Sequence, residues 1–126
     1  MPRAMRWLDS AAAWGLILVG CLHNFLGAPA SFDGLSDDLF WFLSAGLALW
    51  YAGAANLVRQ RAPSRAAAYA CVAINVTLLA FVTASGLHSG DIARPGGILL
   101  VAIAAIETAF SLAQSASLLS VRTQSR

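Results

Sequence analysis

The chain has 126 residues, of which 59% are hydrophobic and 11% charged, with a formal net charge of +2. Soluble domains run at roughly 45–50% and 25%, so this composition excludes a soluble globule with a polar surface. The length suffices for one domain, residues 1–126, and the few basic residues, gathered at the edges of apolar runs, argue against a nucleic-acid face.

Four apolar runs of about 20 residues follow one another, each long enough to cross a bilayer. A soluble four-helix bundle would carry polar outer faces at helical period. These runs carry almost none, so the surrounding solvent is read as lipid. The expected fold is all-α: an integral membrane antiparallel four-helix bundle with spans at about residues 7–26, 39–58, 66–87 and 96–119.

The first span follows Arg3 and Arg6. With Ala28-Pro29-Ala30 beyond it, the stretch has some look of a secretory signal and cleavage site. Asp9 and Trp14 interrupt that pattern, and His23 and Asn24 lie near its end, so a retained helix is expected. Residues 27–35 read as an outer loop rich in turn residues. Ser36 is a candidate helix cap, and Asp37 and Asp38 suit the positive end of the helix dipole. The second span carries Phe40, Trp41 and Phe42 at its outer end, where Trp41 fits an interfacial aromatic belt. Trp50 and Tyr51 lie deeper.

Residues 59–64 read as a tight cytoplasmic turn, with Pro63 and a cap at Ser64. So short a link makes the second and third helices antiparallel neighbours. The third span carries Asn75 near its midpoint. Residues 86–95 form a second outer loop with His88 and Asp91, and Pro95 suits the first turn of the fourth helix. The tail after Leu119 is polar and is expected to fray.

All the basic residues are arginines. Arg3, Arg6, Arg59, Arg61, Arg65, Arg122 and Arg126 fall on one side of the four spans. Arg94 falls on the other, with Asp33, Asp37, Asp38 and Asp91. The positive-inside rule then puts both termini in the cytoplasm. Cys21 and Cys71 sit near opposite ends of the membrane. A disulfide needs Cα atoms within about 7 Å, so both are expected to be small buried side chains.

The fourth span, Gly96 to Leu119, holds one ionisable residue, Glu107. A carboxylate at mid-membrane costs a few kcal/mol unless it is protonated, paired or hydrated. It must therefore face other helices. Ala104, Thr108, Ser111, Gln114 and Ser115 share its stripe at helical spacing, and small or hydroxylated residues are what membrane helices place at contacts. Asn75 lies at a similar depth in an apolar setting and needs a partner. An Asn75–Glu107 contact, direct or through water, is expected, with no second charged partner in the core. Either the pair fixes helix register, or Glu107 binds a proton, a cation or a polar ligand group, with Asn75, Ser111 and Thr108 around it. Asn24 and Asn56 are placed near helix ends, within reach of water or headgroups.

His23 and His88 fall on the same side of the membrane. Two histidines from different helices can ligate haem iron, or a metal with Cys21 or Asp91 as a third ligand. Ordinary interfacial histidines are the expected reading. Ala48, Ala52 and Asn56 form one small-residue ridge, and Gly46 and Gly53 mark another close-approach face, within the chain or between protomers. No Ser–His–Asp set, paired intramembrane carboxylates, glycine-rich phosphate loop or CxxC is present.

The run Gly20-Cys21-Leu22-His23 closing the first span, the run Phe42-Leu43-Ser44-Ala45-Gly46 in the second, and the compact four-span length resemble bacterial inner-membrane proteins of the DoxX-like type and related uncharacterised families. The resemblance implies a multi-pass protein of a bacterial plasma membrane and transfers no functional residue. The expected function is a non-enzymatic accessory or binding protein with an intramembrane polar pocket around Glu107 and Asn75, opening toward His23. Its partners are the lipid bilayer and a membrane protein or a second copy of the chain. The alternatives are an oligomeric transporter or channel subunit using Glu107 as a proton or cation site, and a haem-binding or lipid-modifying enzyme using His23 and His88.

Overall fold

The chain is a stack of long helices joined by short links. The computed structural model describes residues 3–124, with side chains from residue 3 to residue 118. Helix α1 runs Arg3–Ser31 and is interrupted by a π-helical turn at His23–Gly27. Helix α2 is Asp37–Arg61 and α3 is Arg65–Ser89. After a 3-10 turn at Asp91–Ala93, α4 runs Pro95–Gln124. There is no strand among the described residues. All four helices are long and apolar enough to cross a membrane.

Each helix outruns its expected span. A 25-residue helix such as α2 is about 37 Å long at 1.5 Å per residue, whereas the hydrocarbon core is about 30 Å thick. The apolar window marks only the part that needs lipid; the helix continues through its polar ends. The turn expected at residues 59–64 therefore shrinks to Ala62, Pro63 and Ser64, and Arg59 belongs to α2. Helical structure likewise takes residues up to Ser31 and Ser89 from the two expected outer loops. In the tail expected to fray, the backbone is helical to Gln124; side chains after residue 118, and residues 125–126, lie outside the described part.

The helix ends follow their local chemistry. Ser36 Oγ accepts from the Leu39 amide at 3.1 Å, and Asp37 and Asp38 fill the first turn of α2. Ser64 Oγ does the same for the Ala67 amide at 3.1 Å. Gly90 ends α3 with φ 76°, a left-handed conformation that costs glycine little.

Glycines bring α1 and α2 together. A Cβ on Gly53 would lie 2.6 Å from the Ala13 carbonyl oxygen, and one on Gly20 would lie 2.7 Å from the Gly46 carbonyl oxygen. A Cβ on Gly46 would overlap the Asn24 amide. Near the same end the His23 ring stacks on Phe42, with centroids 3.7 Å apart, and its Nε2 lies 3.0 Å from the Phe42 carbonyl oxygen. Asn24 Nδ2 donates to the Leu43 carbonyl at 3.2 Å. Asn24 is thus buried against α2 rather than held by water or headgroups.

The apolar centre draws on all four helices: Leu16 from α1, Leu49 and Ala52 from α2, Leu78 from α3 and Ala104 from α4. The outer surface is no less apolar. Trp14, Phe25, Trp41, Tyr51 and Phe81 are all more than half exposed. At about 25 cal/mol per Å² of apolar area such a surface suits lipid and not water.

The close approach yields a direct test. Gly46→Ala forces the Asn24 amide out of its bond to α2 and is expected to lower stability by about 1–3 kcal/mol. Gly34→Ala, where nothing lies within 4 Å, is expected to stay within about 0.5 kcal/mol of the parent in thermal unfolding in mild detergent.

Candidate functional site

Apart from Asn24, the buried polar side chains among the described residues gather in one place. From α2, Asn56 and Arg59 stand one turn apart on the same face. From α4, Glu107, Ser111 and Gln114 share a face at helical spacing. Asp9 comes from the second turn of α1 and Asn75 from the middle of α3. Arg59 is 2% exposed, Asp9 5% and Glu107 0%, so three ionisable groups are inside the bundle.

Arg59 is the hub. Its Nη2 donates to Asp9 Oδ1 at 2.5 Å and to Glu107 Oε2 at 3.2 Å. Its Nη1 donates to Gln114 Oε1 at 2.8 Å, and its Nε to Asn56 Oδ1 at 3.1 Å. All three guanidinium nitrogens are therefore satisfied by side chains of α1, α2 and α4. A lysine, a point charge on a flexible stem, cannot reproduce this planar fork.

The second hub is an amide pair. Asn56 Nδ2 donates to Asn75 Oδ1 at 2.8 Å, and Asn75 Nδ2 donates back to Asn56 Oδ1 at 2.9 Å. Asn75 Nδ2 also lies 3.2 Å from the Glu107 carbonyl oxygen and 3.3 Å from Ser111 Oγ. Through Asn75 the third helix joins the other three.

The expected Asn75–Glu107 contact exists, but it is made to the backbone oxygen of Glu107. The carboxylate instead faces Arg59. Glu107 is also not alone: the core that was expected to hold no second charged group holds both Asp9 and Arg59. Asn56, expected near water, is fully buried. The inward stripe on α4 is present, with Ala104, Glu107 and Ser111 all fully buried. Thr108 donates its hydroxyl to the Ala104 carbonyl at 2.7 Å, within its own helix. Glu107 Oε1 is buried and has no hydrogen-bond partner.

Arg59 escaped the sequence reading because it stands beside Arg61 and Arg65, where a loop charge is the ordinary expectation. Side chains on a helix lean toward its N-terminus, which returns Arg59 to the interior. The available signal was its one-turn spacing from Asn56. In the sequence Asp9 stands only as an interruption of an apolar run.

Two of the cavities among the described residues bear on the site. One, of about 670 Å³, adjoins the network and is lined by Asp9, Ser10, Arg59, Gln60 and Gln114, with Arg6 and Arg61 at its edge. Ser10 Oγ donates to Gln60 Oε1 at 2.7 Å, whereas the buried Gln60 Nε2 has no partner. The other, of about 450 Å³, lies at the opposite end of α1, lined by His23, Ser89 and Asp91 over Leu49, Leu78 and Leu100. The opening expected toward His23 thus belongs to the apolar cavity, and the polar cluster adjoins the other one.

His88 is exposed in the last turn of α3 and lines neither cavity. Among the described residues no three His, Cys, Asp or Glu side chains come together as a metal site. Both cysteines are free thiols, and Cys71 Sγ donates to the Ala55 carbonyl at 3.3 Å. Comparison with protein-family models, curated proteins and solved structures finds no match to the chain.

Removing the central cation leaves two buried carboxyl groups facing each other. Arg59→Met is expected to lower stability by about 3–5 kcal/mol. Adding Asp9→Asn and Glu107→Gln to that variant is expected to restore more than half of the loss in thermal unfolding, because the uncompensated groups are gone.

Proposed function

We propose that this chain is a small multi-pass membrane protein with antiparallel helices and both termini cytoplasmic, and that it acts by binding rather than by catalysis. The site that binds is the cluster of Arg59, Asp9, Glu107 and Asn75 with its adjoining cavity. The antiparallel arrangement draws support from the contacts between α1 and α2. Asp9 and Ser10, early in α1, meet Arg59 and Gln60, late in α2. His23 and Asn24, late in α1, meet Phe42 and Leu43, early in α2. The orientation draws on the arginine bias: Arg3, Arg6, Arg61 and Arg65 stay at one end even though Arg59 is inside the bundle. The likeness to DoxX-like proteins favours a bacterial inner membrane.

The observation that carries the binding reading is the buried guanidinium beside a cavity of about 670 Å³, a size usual for small-molecule sites. Intramembrane ionisable residues are retained at a cost and mark functional sites more often than not. Catalysis has less to stand on, because His23 is stacked on Phe42 and His88 is exposed at a helix end.

A second reading has one observation in its favour. Glu107 Oε1 has no protein partner, which suits a proton or cation site in an oligomeric transporter. A single four-helix protomer is too thin to enclose a wide pore, so this reading needs further copies.

One preparation separates the two. Glu107→Gln keeps an oxygen for Arg59 and is expected to fold. Native mass spectrometry from mild detergent is expected to show a small ligand retained by the parent and lost in this variant. Bare masses for both, together with proton flux in liposomes that Glu107→Ala abolishes, would favour the transporter instead.

A further inference from the structure

The cavity at the Arg6–Arg61 end combines three features that together define a ligand chemistry. The first is charge. Arg6, Arg59 and Arg61 line it against the single acid Asp9. Asp9 is already held by Arg59. Arg6 and Arg61 make no ion pair or hydrogen bond among the described residues, so the edge of the cavity offers two free guanidinium groups. Guanidinium groups match phosphate and carboxylate oxygens in bidentate fashion. A cationic headgroup amine would meet only repulsion there.

The second is an orphaned donor. Gln60 lines the cavity, its Oε1 accepts from Ser10, and its buried Nε2 has no partner. A buried donor left unmade costs about 1–3 kcal/mol, and an acceptor oxygen in the cavity would remove that cost once the Gln60 amide turned to meet it. The third is the wall. Met5, Trp14, Leu57, Phe110 and Ala113 give the lining an apolar stretch, and Trp14 is more than half exposed on the outer surface of α1. A small hydrophilic anion leaves that wall unused; an amphiphile covers it.

We propose that this cavity binds an anionic phospholipid, its phosphate against Arg6, Arg61 and Gln60 Nε2 and its acyl chain along Trp14, Leu57 and Phe110. This deepens the binding reading above and rests on it. It also fits the orientation given there, since anionic lipids of the cytoplasmic leaflet attract arginines placed at that surface.

The test is a lipid titration of the full chain in nonionic detergent, read by native mass spectrometry. The probes are phosphatidylglycerol, phosphatidylcholine of the same acyl chains, and inorganic phosphate. One phosphatidylglycerol per chain is expected to be retained about tenfold more tightly than phosphatidylcholine, and millimolar phosphate is not expected to displace it. Arg6→Gln with Arg61→Gln is expected to abolish that preference with the melting temperature unchanged, because both side chains are exposed and, among the described residues, unpaired. Gln60→Leu is expected to weaken retention several-fold. Equal retention of both lipids that survives in the double variant overturns the inference and leaves a binding pocket standing. Saturation by inorganic phosphate with no lipid retained overturns the lipid assignment. Retention of neither probe, together with no co-purified ligand, overturns both the inference and the binding reading.

Discussion

The Arg59 guanidinium lies between Asp9 and Glu107, all but removed from water, and the helices are arranged so that it can. Taking an ion of this size out of water costs several kcal/mol even after relaxation, and the cost is recovered only with good geometry on every donor. The chain meets that condition with side chains from three helices. Asp9 and Glu107 supply the opposite charge, Gln114 and Asn56 take the remaining guanidinium nitrogens, and the Asn56–Asn75 amide pair extends the network to the third helix. In lipid, with no hydrophobic force drawing helices together, such interhelical bonds and close packing specify which faces meet.

The two ends of the bundle divide the work. At the His23 end, glycines let α1 and α2 approach until backbone and small side chains touch, and the contacts are stacking and side chain to backbone. Leu16, Leu49, Leu78 and Ala104 then close the middle with apolar packing. At the Arg6–Arg61 end the side chains are long and polar, and the interior opens into a cavity. The glycine contacts fix how α1 lies on α2, and that register is what brings Asp9 within reach of Arg59, 50 residues away in the chain.

Much of the fold was legible because lipid imposes a simple rule: apolar runs of one length, separated by turn residues and bounded by arginines. The caps at Ser36 and Ser64 follow from side-chain chemistry alone. The inward stripe of Glu107 and Ser111 follows from helical period, since those residues are ill suited to lipid. The hub of the site was not legible. Arg59 stands at the edge of an apolar window, where charge is ordinary, and only the extra helical turn beyond that window makes it an interior residue. Asp9 stands just inside the corresponding edge of the first span. Near a helix end, depth depends on tilt and on where the chain turns, and neither is written in local composition. Asn75 was found for its isolation, but its partner, Asn56, is fixed by how α2 rotates against α3.

The chain contains a single glutamate, Glu107, so labelling glutamate carboxyl carbon with 13C and arginine with 15N reports on this site alone. Dipolar dephasing in solid-state NMR of the protein in lipid bilayers measures the distance between them. The account predicts a carboxyl carbon about 4 Å from a guanidinium nitrogen, the separation of a contact ion pair, and its disappearance in Arg59→Met. A glutamate carboxyl with no arginine nitrogen nearby, or a signal unchanged in that variant, would contradict it.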